Sequence, residues 1–203
     1  MAKVDILIPA AGASMRMGGR DKLLEMVGGV EQLRRVAEMA VYAAGYFAGH
    51  VFVTLPSSGP LAPSRRQVLT GLRATILSIP DAHEGMAASL RAGAMASSTS
   101  EGLMLLPADM PELTADDLRY LMKTFSEDTH VAIRATSAGG AVGHPVIFPR
   151  RLFGSLSVLT GDQGGRKVLL DEDVRNCPLP GTRAITDLDT PEDWQAWRKR
   201  TGN

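Results

Sequence analysis

The sequence has one cysteine, no excess of either charge and no long apolar run. Cys177 is the only cysteine among 203 residues, which excludes an intrachain disulfide and a thiolate metal cluster within one chain. Lysine plus arginine number 22, as do aspartate plus glutamate, so no bulk positive field indicates nucleic acid or an anionic membrane surface as a partner. Any anion-binding site must therefore be local.

Long apolar segments are also missing. No stretch approaches the roughly 18 consecutive apolar residues that a membrane-spanning helix needs. Near the N-terminus, Asp5 interrupts an apolar run that ends at Ala11, which is too short for the core of a signal peptide. We therefore expect a cytoplasmic protein with neither a membrane nor nucleic acid as its partner. Apolar residues at 44% and charged residues at 22% are typical of a folded enzyme, and the length suits a single domain, residues 1–203.

Apolar runs that predict strands alternate with segments of helical spacing. The predicted strands are residues 6–8, 50–55, 74–79, 103–106 and 131–135, and the predicted helices are residues 33–44, 86–93, 118–125 and the segment after Thr190. Residues 57–71 are polar and indicate irregular or short-helical structure, and residues 151–176 indicate a basic, loop-rich element. The alternation predicts an α/β fold, a Rossmann-like three-layer αβα sandwich with a mostly parallel sheet, which binds ligands at the carboxyl ends of its strands.

A loop of small residues follows the first predicted strand and precedes two positive charges. The segment Gly12-Ala13-Ser14 leaves the backbone N–H groups free to approach phosphate oxygens. Arg16 and Lys22 supply the positive charge that a triphosphate requires. The spacing matches neither the Walker loop nor the dinucleotide fingerprint. It predicts an anion-binding loop of another kind; the alternative is a tight turn with two solvated cations.

Carboxylates follow two later segments. Asp109 comes directly after the most apolar predicted strand, at the same edge of the sheet as the loop, where it is placed to hold Mg²⁺ against phosphate oxygens. The alternative is a structural role in a proline-flanked turn. Asp187 and Asp189 alternate along the chain, so an extended backbone would point both to one side. Asp189 is the better metal ligand of the two, although it also precedes a predicted helix and favours its dipole.

The pattern Ala10-Ala11-Gly12-x-Ser14-x-Arg16-Met17-Gly18, followed by Lys22-Leu23-Leu24, resembles the signature of MobA-like nucleotidyltransferases, the family of the molybdenum cofactor guanylyl- and cytidylyltransferases. Further segments that are similar to the family, in the same order, are residues 85–93, 106–111, 143–145 and 187–193. The resemblance extends from Ile6 to about Trp197. It departs from the family at Pro9 and at residues 29–33, and neither departure removes a charged ligand.

The resemblance implies roles for individual residues. The nucleotide-binding residues would be Ala10, Ala11, Gly12, Ala13, Ser14, Arg16, Lys22 and Ser89, and the catalytic residues Arg16, Lys22 and Asp109. Asp109 and Asp189 would bind Mg²⁺, with Mn²⁺ as a substitute. His144 and Arg166, the latter in the motif Gly161-Asp162-x-Gly164-x-Arg166, would bind the acceptor. The nucleotide-binding part would cover about 1–112 and the acceptor-binding part about 113–203.

The resemblance also implies a reaction. Ala-Ala-Gly is usual in family members that use CTP, and the methyl group of Ala11 would crowd a purine. The implied activity is Mg²⁺-dependent transfer of CMP from CTP to the terminal phosphate of molybdopterin, with release of pyrophosphate and with a molybdenum hydroxylase as a client for the product. Two alternatives stay open at this stage. One is guanylyl or cytidylyl transfer to another phosphorylated acceptor, such as a sugar or polyol phosphate, and the other is a non-catalytic carrier of molybdenum cofactor.

Overall fold

A computed structural model describes residues 1–161 and 164–203. Asp162 of the Gly161–Arg166 motif lies outside the described residues. The strands are β1 (Val4–Pro9), β2 (Met26–Val27), β3 (Val30–Glu31), β4 (Val51–Pro56), β5 (Thr75–Ile79), β6 (Gly102–Leu105), β7 (Ala132–Thr136), β8 (Val142–Pro149) and β9 (Val174–Pro178). The helices are α1 (Gln32–Gly45), α2 (Leu61–Val68), α3 (Met86–Ala96), α4 (Ala115–Phe125), α5 (Phe153–Ser157) and α6 (Pro191–Thr201).

Seven strands form one sheet in the order β5-β4-β1-β6-β8-β7-β9, and β2 pairs with β3 in a separate antiparallel ribbon. The strands β5, β4, β1 and β6 are parallel to one another, β8 runs antiparallel to both β6 and β7, and β9 is parallel to β7. The predicted mostly parallel sheet is therefore confirmed. The carboxyl ends of β1 and β6 lie side by side at one edge of the sheet.

Helices cover both faces of the sheet because side chains along β1 alternate between them. Ile6 and Ile8 pack with the apolar faces of α1 and α4, and Leu7 packs on the opposite face with α3 and α5. Gly93 explains the close approach of α3, since a Cβ there would lie 2.5 Å from a methyl carbon of Leu7. The predicted three-layer arrangement is confirmed.

Two helices, α4 and α6, begin with a capping box, and α6 begins directly after Thr190 as the sequence predicts. Thr114 accepts a hydrogen bond from the N–H of Asp117, whose carboxylate accepts one from the N–H of Thr114. Thr190 and Asp193 form the same reciprocal pair at the start of α6. These capping boxes satisfy N–H groups that a helix leaves unpaired in its first turn.

One of two open possibilities is decided, and one element differs from expectation. Residues 61–68 form the eight-residue helix α2, which is the short-helical alternative for this segment. Strand β9 lies within the segment expected to be loop-rich and basic. Its sequence, Val-Arg-Asn-Cys-Pro, buries only Cys177 well, because β9 is an edge strand, and it therefore shows no apolar alternation. Among the described residues, no helix has both the length and the apolar character needed to cross a membrane.

Candidate active site

A cavity of about 310 Å³ opens at the carboxyl ends of β1 and β6. Its lining comes from segments that are far apart in the chain: residues 9–16, Lys22, the start of α3, residues 107–109 and Asp189. The fold thus brings together the predicted anion loop and both predicted metal ligands. Ser89 also lines the cavity.

Lys22 lies between the two carboxylates. Its Nζ atom is 2.5 Å from Oδ2 of Asp109 and 2.6 Å from Oδ1 of Asp189. Arg16 contacts the other oxygen of Asp189, with 2.7 Å between Nη1 and Oδ2. Burial alone would lower the pKa of Lys22, but the charges and hydrogen bonds of Asp109 and Asp189 outweigh it and raise that pKa above its ordinary value. Lys22 is therefore a firmly protonated cation inside the cavity.

The segment that carries Asp189 is fixed in place by backbone and apolar contacts. The N–H of Leu188 donates to the carbonyl oxygen of Asp109 at 3.1 Å, which joins the two acidic segments directly. Leu188 also belongs to an apolar cluster with Met17, Val27, Trp194 and Trp197. Met17 of the anion loop is thus part of the core that seats α6, and this packing holds the C-terminal segment against the N-terminal loop.

The anion loop presents backbone donors to the cavity. Among the described residues, the N–H groups of residues 11–14 make no hydrogen bond, whereas the N–H of Ala10 donates to the carbonyl oxygen of Thr54. Ser14 adopts a left-handed backbone conformation with φ of 51°. The hydroxyl groups of Ser89 and Thr54 are hydrogen-bonded at 2.9 Å beneath the loop. Ala11 is buried and Ser14 half-buried, whereas Gly12 and Ala13 are exposed, so these four adjacent N–H groups without a protein partner suit an anion that enters from solvent.

Arg65 of α2 contacts this loop and was not found by sequence reasoning. Its side chain is fully buried and forms an ion pair with Asp21, the residue before Lys22. The signal is visible once residues 61–68 are known to be helical. Arg65 follows Ala62 by three positions and precedes Leu69 by four, and both of those residues are buried, so the helical period places Arg65 on the inward face.

His144 and Arg166, the predicted acceptor ligands, do not line the cavity. His144 lies in β8, next to Gly143, whose Cα passes so close to Ala184 that a Cβ would lie 1.9 Å from its carbonyl oxygen. Burial lowers the pKa of His144, although Asp109 and Asp187 oppose this shift. Its Nδ1 atom is buried without a hydrogen-bond partner among the described residues. Arg166 is exposed. The acceptor roles of both residues stay predictions.

A second cavity of about 620 Å³ shares residues 11–15 with the first. Its other walls come from residues 56–61 after β4 and from Ala82 and His83. The loop therefore forms a wall of both cavities. Arg16, Lys22, Asp109 and Asp189 line the first, whereas proline and small side chains line much of the second. His83 is the one histidine among the described residues that line this second cavity.

The two carboxylates fit a divalent cation. An oxygen of Asp109 and one of Asp189 converge on a single cation, the Lys22 ammonium group. Within residues 1–161 and 164–203, no group of three or more histidine, cysteine, aspartate or glutamate side chains is arranged to hold a metal. Mg²⁺ prefers one or two carboxylates, with phosphate oxygens and water in its remaining coordination positions. The arrangement therefore suits a metal that arrives with a nucleotide.

The fold and this cavity define a nucleotidyltransferase. The model of the MobA-like NTP transferase domain matches residues 6–176, and the chain belongs to that family. It is 24% identical over 200 residues to molybdenum cofactor cytidylyltransferase from Escherichia coli strain K12, covering 98% of both chains. It is 27% identical over 124 residues to the purine catabolism protein PucB from Bacillus subtilis strain 168, covering 59% of this chain and 58% of PucB.

Two solved structures have a similar fold over nearly the full chain. The crystal structure of Rv0371c from Mycobacterium tuberculosis H37Rv superimposes with a TM-score of 0.79 at 27% sequence identity, covering 98% of each chain. A complex of Rv0371c with manganese superimposes with a TM-score of 0.75 at 26% identity, covering 96% of this chain and 97% of that one. The resemblance to the nucleotidyltransferase family that the sequence predicts is therefore confirmed.

Proposed function

We propose that this nucleotidyltransferase transfers CMP from CTP to the terminal phosphate of a molybdopterin-type acceptor and releases pyrophosphate. The observation that carries the proposal is that one cavity contains free N–H donors, a protonated lysine and two convergent carboxylates. The donors and Lys22 suit the phosphate oxygens of a nucleotide, and the carboxylates suit its metal ion. The similarity over full length to molybdenum cofactor cytidylyltransferase supports the choice of acceptor.

Charge neutralisation and positioning are sufficient for this reaction. An oxygen of the acceptor phosphate attacks the α-phosphorus of the triphosphate in line with the departing pyrophosphate. A phosphate monoester is already largely ionised near neutral pH, so the acceptor needs no general base. Lys22, Arg16 and the N–H groups of residues 11–14 stabilise negative charge that builds on the leaving pyrophosphate.

Asp109 and Asp189 would hold the metal. When bound, a divalent cation neutralises phosphate charge and makes pyrophosphate a better leaving group. The manganese complex of Rv0371c supports a divalent metal for this chain, and we infer Mg²⁺ with Mn²⁺ as a substitute. The metal would draw both carboxylates away from Lys22, and Lys22 would then be available to the phosphates.

CTP is the inferred nucleotide. Ala11 is buried against Ile79 and Ala88 and lines both cavities, so its methyl group restricts the space beside the loop. A pyrimidine needs less of that space than a purine. We assign the base and ribose to the 620 Å³ cavity and the phosphates to the 310 Å³ cavity. The acceptor would approach from the part formed by residues 113–203, with His144 and Arg166 as its ligands.

Thermal unfolding with Mg²⁺ and each of CTP, GTP, ATP and UTP tests the proposal first. A ligand at about 100 times its dissociation constant stabilises a protein by roughly 2.7 kcal/mol, which raises the melting temperature of a chain this size by several degrees. We expect the largest rise with CTP, and its loss in Asp109→Ala and Lys22→Ala. Asp187→Ala is the matched control, because this exposed carboxylate lies in the same segment as Asp189.

Pyrophosphate release with a molybdopterin acceptor is the second step. Release that depends on Asp109 supports the transferase assignment and dismisses a carrier role. A larger stabilisation by GTP than by CTP would assign the chain to guanylyl transfer. Full turnover in a folded Asp109→Ala protein would contradict the site.

A further inference from the structure

The guanidinium group of Arg65 is buried under the anion loop with all of its N–H donors engaged. Nη1 donates to the carbonyl oxygens of Ala10 and Gly12, each at 2.7 Å. Nε and Nη2 donate to the two carboxylate oxygens of Asp21 at 2.7 and 2.8 Å, and Nη2 also donates to the hydroxyl of Ser14 at 3.0 Å. These five bonds match the five donors of an arginine side chain.

The bonds to the carbonyl oxygens determine where the neighbouring N–H groups point. In a trans peptide, the C=O of one residue and the N–H of the next point in opposite directions across a rigid plane. The carbonyl groups of Ala10 and Gly12 point inward to Arg65, so the N–H groups of Ala11 and Ala13 point away from it. Both residues line the 310 Å³ cavity.

Through its ion pair with Asp21, Arg65 also helps to fix the position of Lys22. Oδ1 of Asp21 accepts a hydrogen bond from the N–H of Leu23 at 3.1 Å and so caps the short turn that begins at Lys22. It also accepts one from the hydroxyl of Ser14 at 3.1 Å. Arg65 thereby joins the peptide planes of the loop, the side chain of Ser14 and the start of the turn that carries Lys22.

We propose that Arg65 is a positioning residue for phosphate binding, which acts through the carbonyl oxygens of Ala10 and Gly12 and through Asp21 and touches no substrate itself. The proposal rests on the nucleotide-binding role of the cavity proposed above. It explains why a charged side chain is fully buried at this point of α2. An arginine is needed because its planar group offers five donors in a fixed arrangement, whereas a lysine has three donors at one atom.

The test compares the affinity of Arg65→Lys for a nucleoside triphosphate with its affinity for the matching nucleoside. Calorimetric titration uses the nucleoside triphosphate that stabilises the wild-type protein most, with the matching nucleoside as a competitor. We expect Arg65→Lys to bind the triphosphate at least about tenfold more weakly. A loop N–H group that no longer points at the phosphates loses a hydrogen bond to a charged group, and one such bond is enough to give this factor. The affinity for the nucleoside, which has no phosphate, stays within about twofold. Replacing a residue that only stabilises the fold would change the affinities for the triphosphate and the nucleoside by the same factor.

Arg183→Lys is the matched control. Nη1 of Arg183 lies 3.1 and 3.2 Å from the carboxylate oxygens of Asp117, a buried partner in α4 that does not line the cavity. This variant makes the same substitution in another arginine–aspartate ion pair, one that is partly exposed on the arginine side, and we expect it to bind both ligands as the wild type does. If Arg65→Lys does not fold, the neutral pair Arg65→Gln with Asp21→Asn replaces it, because no unpaired charge is then left buried.

Three results overturn the assignment to Arg65. In the first, a folded Arg65 variant binds the triphosphate as tightly as the wild type. In the second, the variant loses equal affinity for the triphosphate and the nucleoside. In the third, Arg183→Lys weakens triphosphate binding as much as Arg65→Lys does. In each of these cases the wild-type protein still binds nucleotide, so the proposed function stands. Failure of the wild-type protein to bind any nucleoside triphosphate rejects the proposed function and the role of Arg65 together.

Discussion

The ammonium nitrogen of Lys22 lies 2.5 Å from a carboxylate oxygen of Asp109 and 2.6 Å from a carboxylate oxygen of Asp189. A lysine and a divalent cation cannot both occupy this point. In the proposed complex, a metal ion held by Asp109 and Asp189 would take the place of the Lys22 ammonium group, and the loop donors lie in the same cavity. Lys22 would then couple the proposed metal site to the proposed phosphate site.

This relationship predicts that Lys22→Met increases the affinity for Mn²⁺ in the absence of nucleotide. The change removes the competing charge from both carboxylates, and two like unit charges about 4 Å apart repel by about 4 kcal/mol at an effective dielectric constant of 20. Even part of this repulsion gives more than about tenfold tighter binding. Titration of Mn²⁺ followed by electron paramagnetic resonance measures the affinity. Arg16→Met, which releases only Asp189, is expected to have a smaller effect; unchanged Mn²⁺ affinity in Lys22→Met would contradict the competition.

The capping box of α6 is expected to serve the active site as well as the helix. Thr190→Ala and Thr114→Ala remove equivalent caps, and each should lower the free energy of unfolding by about 1 kcal/mol. Thr190 is adjacent to Asp189, whose N–H also donates to Asp193. We therefore expect only Thr190→Ala to weaken metal-dependent nucleotide binding. Urea unfolding and calorimetry measure the two effects, and equal loss of binding in both variants would show that the cap has no local influence on the site.

Gly49 permits a close contact between the end of α1 and β1. A Cβ at this position would lie 1.9 Å from the carbonyl oxygen of Val4, which is backbone of a central strand and cannot move aside. Gly49→Ala should therefore destabilise the fold by about 2 kcal/mol. Gly45→Ala is the matched control, since nothing lies near its Cβ and alanine restricts the unfolded chain; it should stabilise by about 0.4–1 kcal/mol. Urea unfolding that ranks Gly49→Ala as the more stable variant would refute this packing.

Asp21 is expected to make stability depend on pH in the acid range. Burial would raise its pKa, but hydrogen bonds and charge from Arg65 outweigh burial and lower the pKa below its ordinary value of 3.8. Between the two pKa values the unfolded state binds more protons, so this contribution is fully present above about pH 4 and is lost as pH falls through the native pKa. Urea unfolding at pH 5 and pH 3 measures it. Asp21→Asn should lose less stability over this interval than the wild type, and an equal loss would contradict the assignment.

Local patterns were sufficient to predict much of the fold and the anion loop. The alternation of apolar runs predicted the layers, and Thr190 with Asp193 predicted the start of α6, because strands and capped helices depend on residues close together in the chain. Strand β9 could not be predicted in this way, since an edge strand buries too few side chains to produce a pattern. The resemblance implied an acceptor ligand at His144, which stays a prediction. Only the structure reveals the close backbone contact between Gly143 and Ala184, since these residues lie far apart in the chain.

What the sequence by itself determined was the set of chemical groups: small loop residues, Arg16, Lys22 and the carboxylates of Asp109 and Asp189. Only the tertiary structure decided which of them meet. Lys22 and Asp189 are 167 positions apart, and their contact depends on the apolar cluster that includes Met17, Leu188 and Trp194. Arg65 reaches the loop only because α2 lies beside it. Such contacts follow from strand order and helix packing, which depend on the whole chain at once, whereas periodicity and spacing report only on neighbours in sequence.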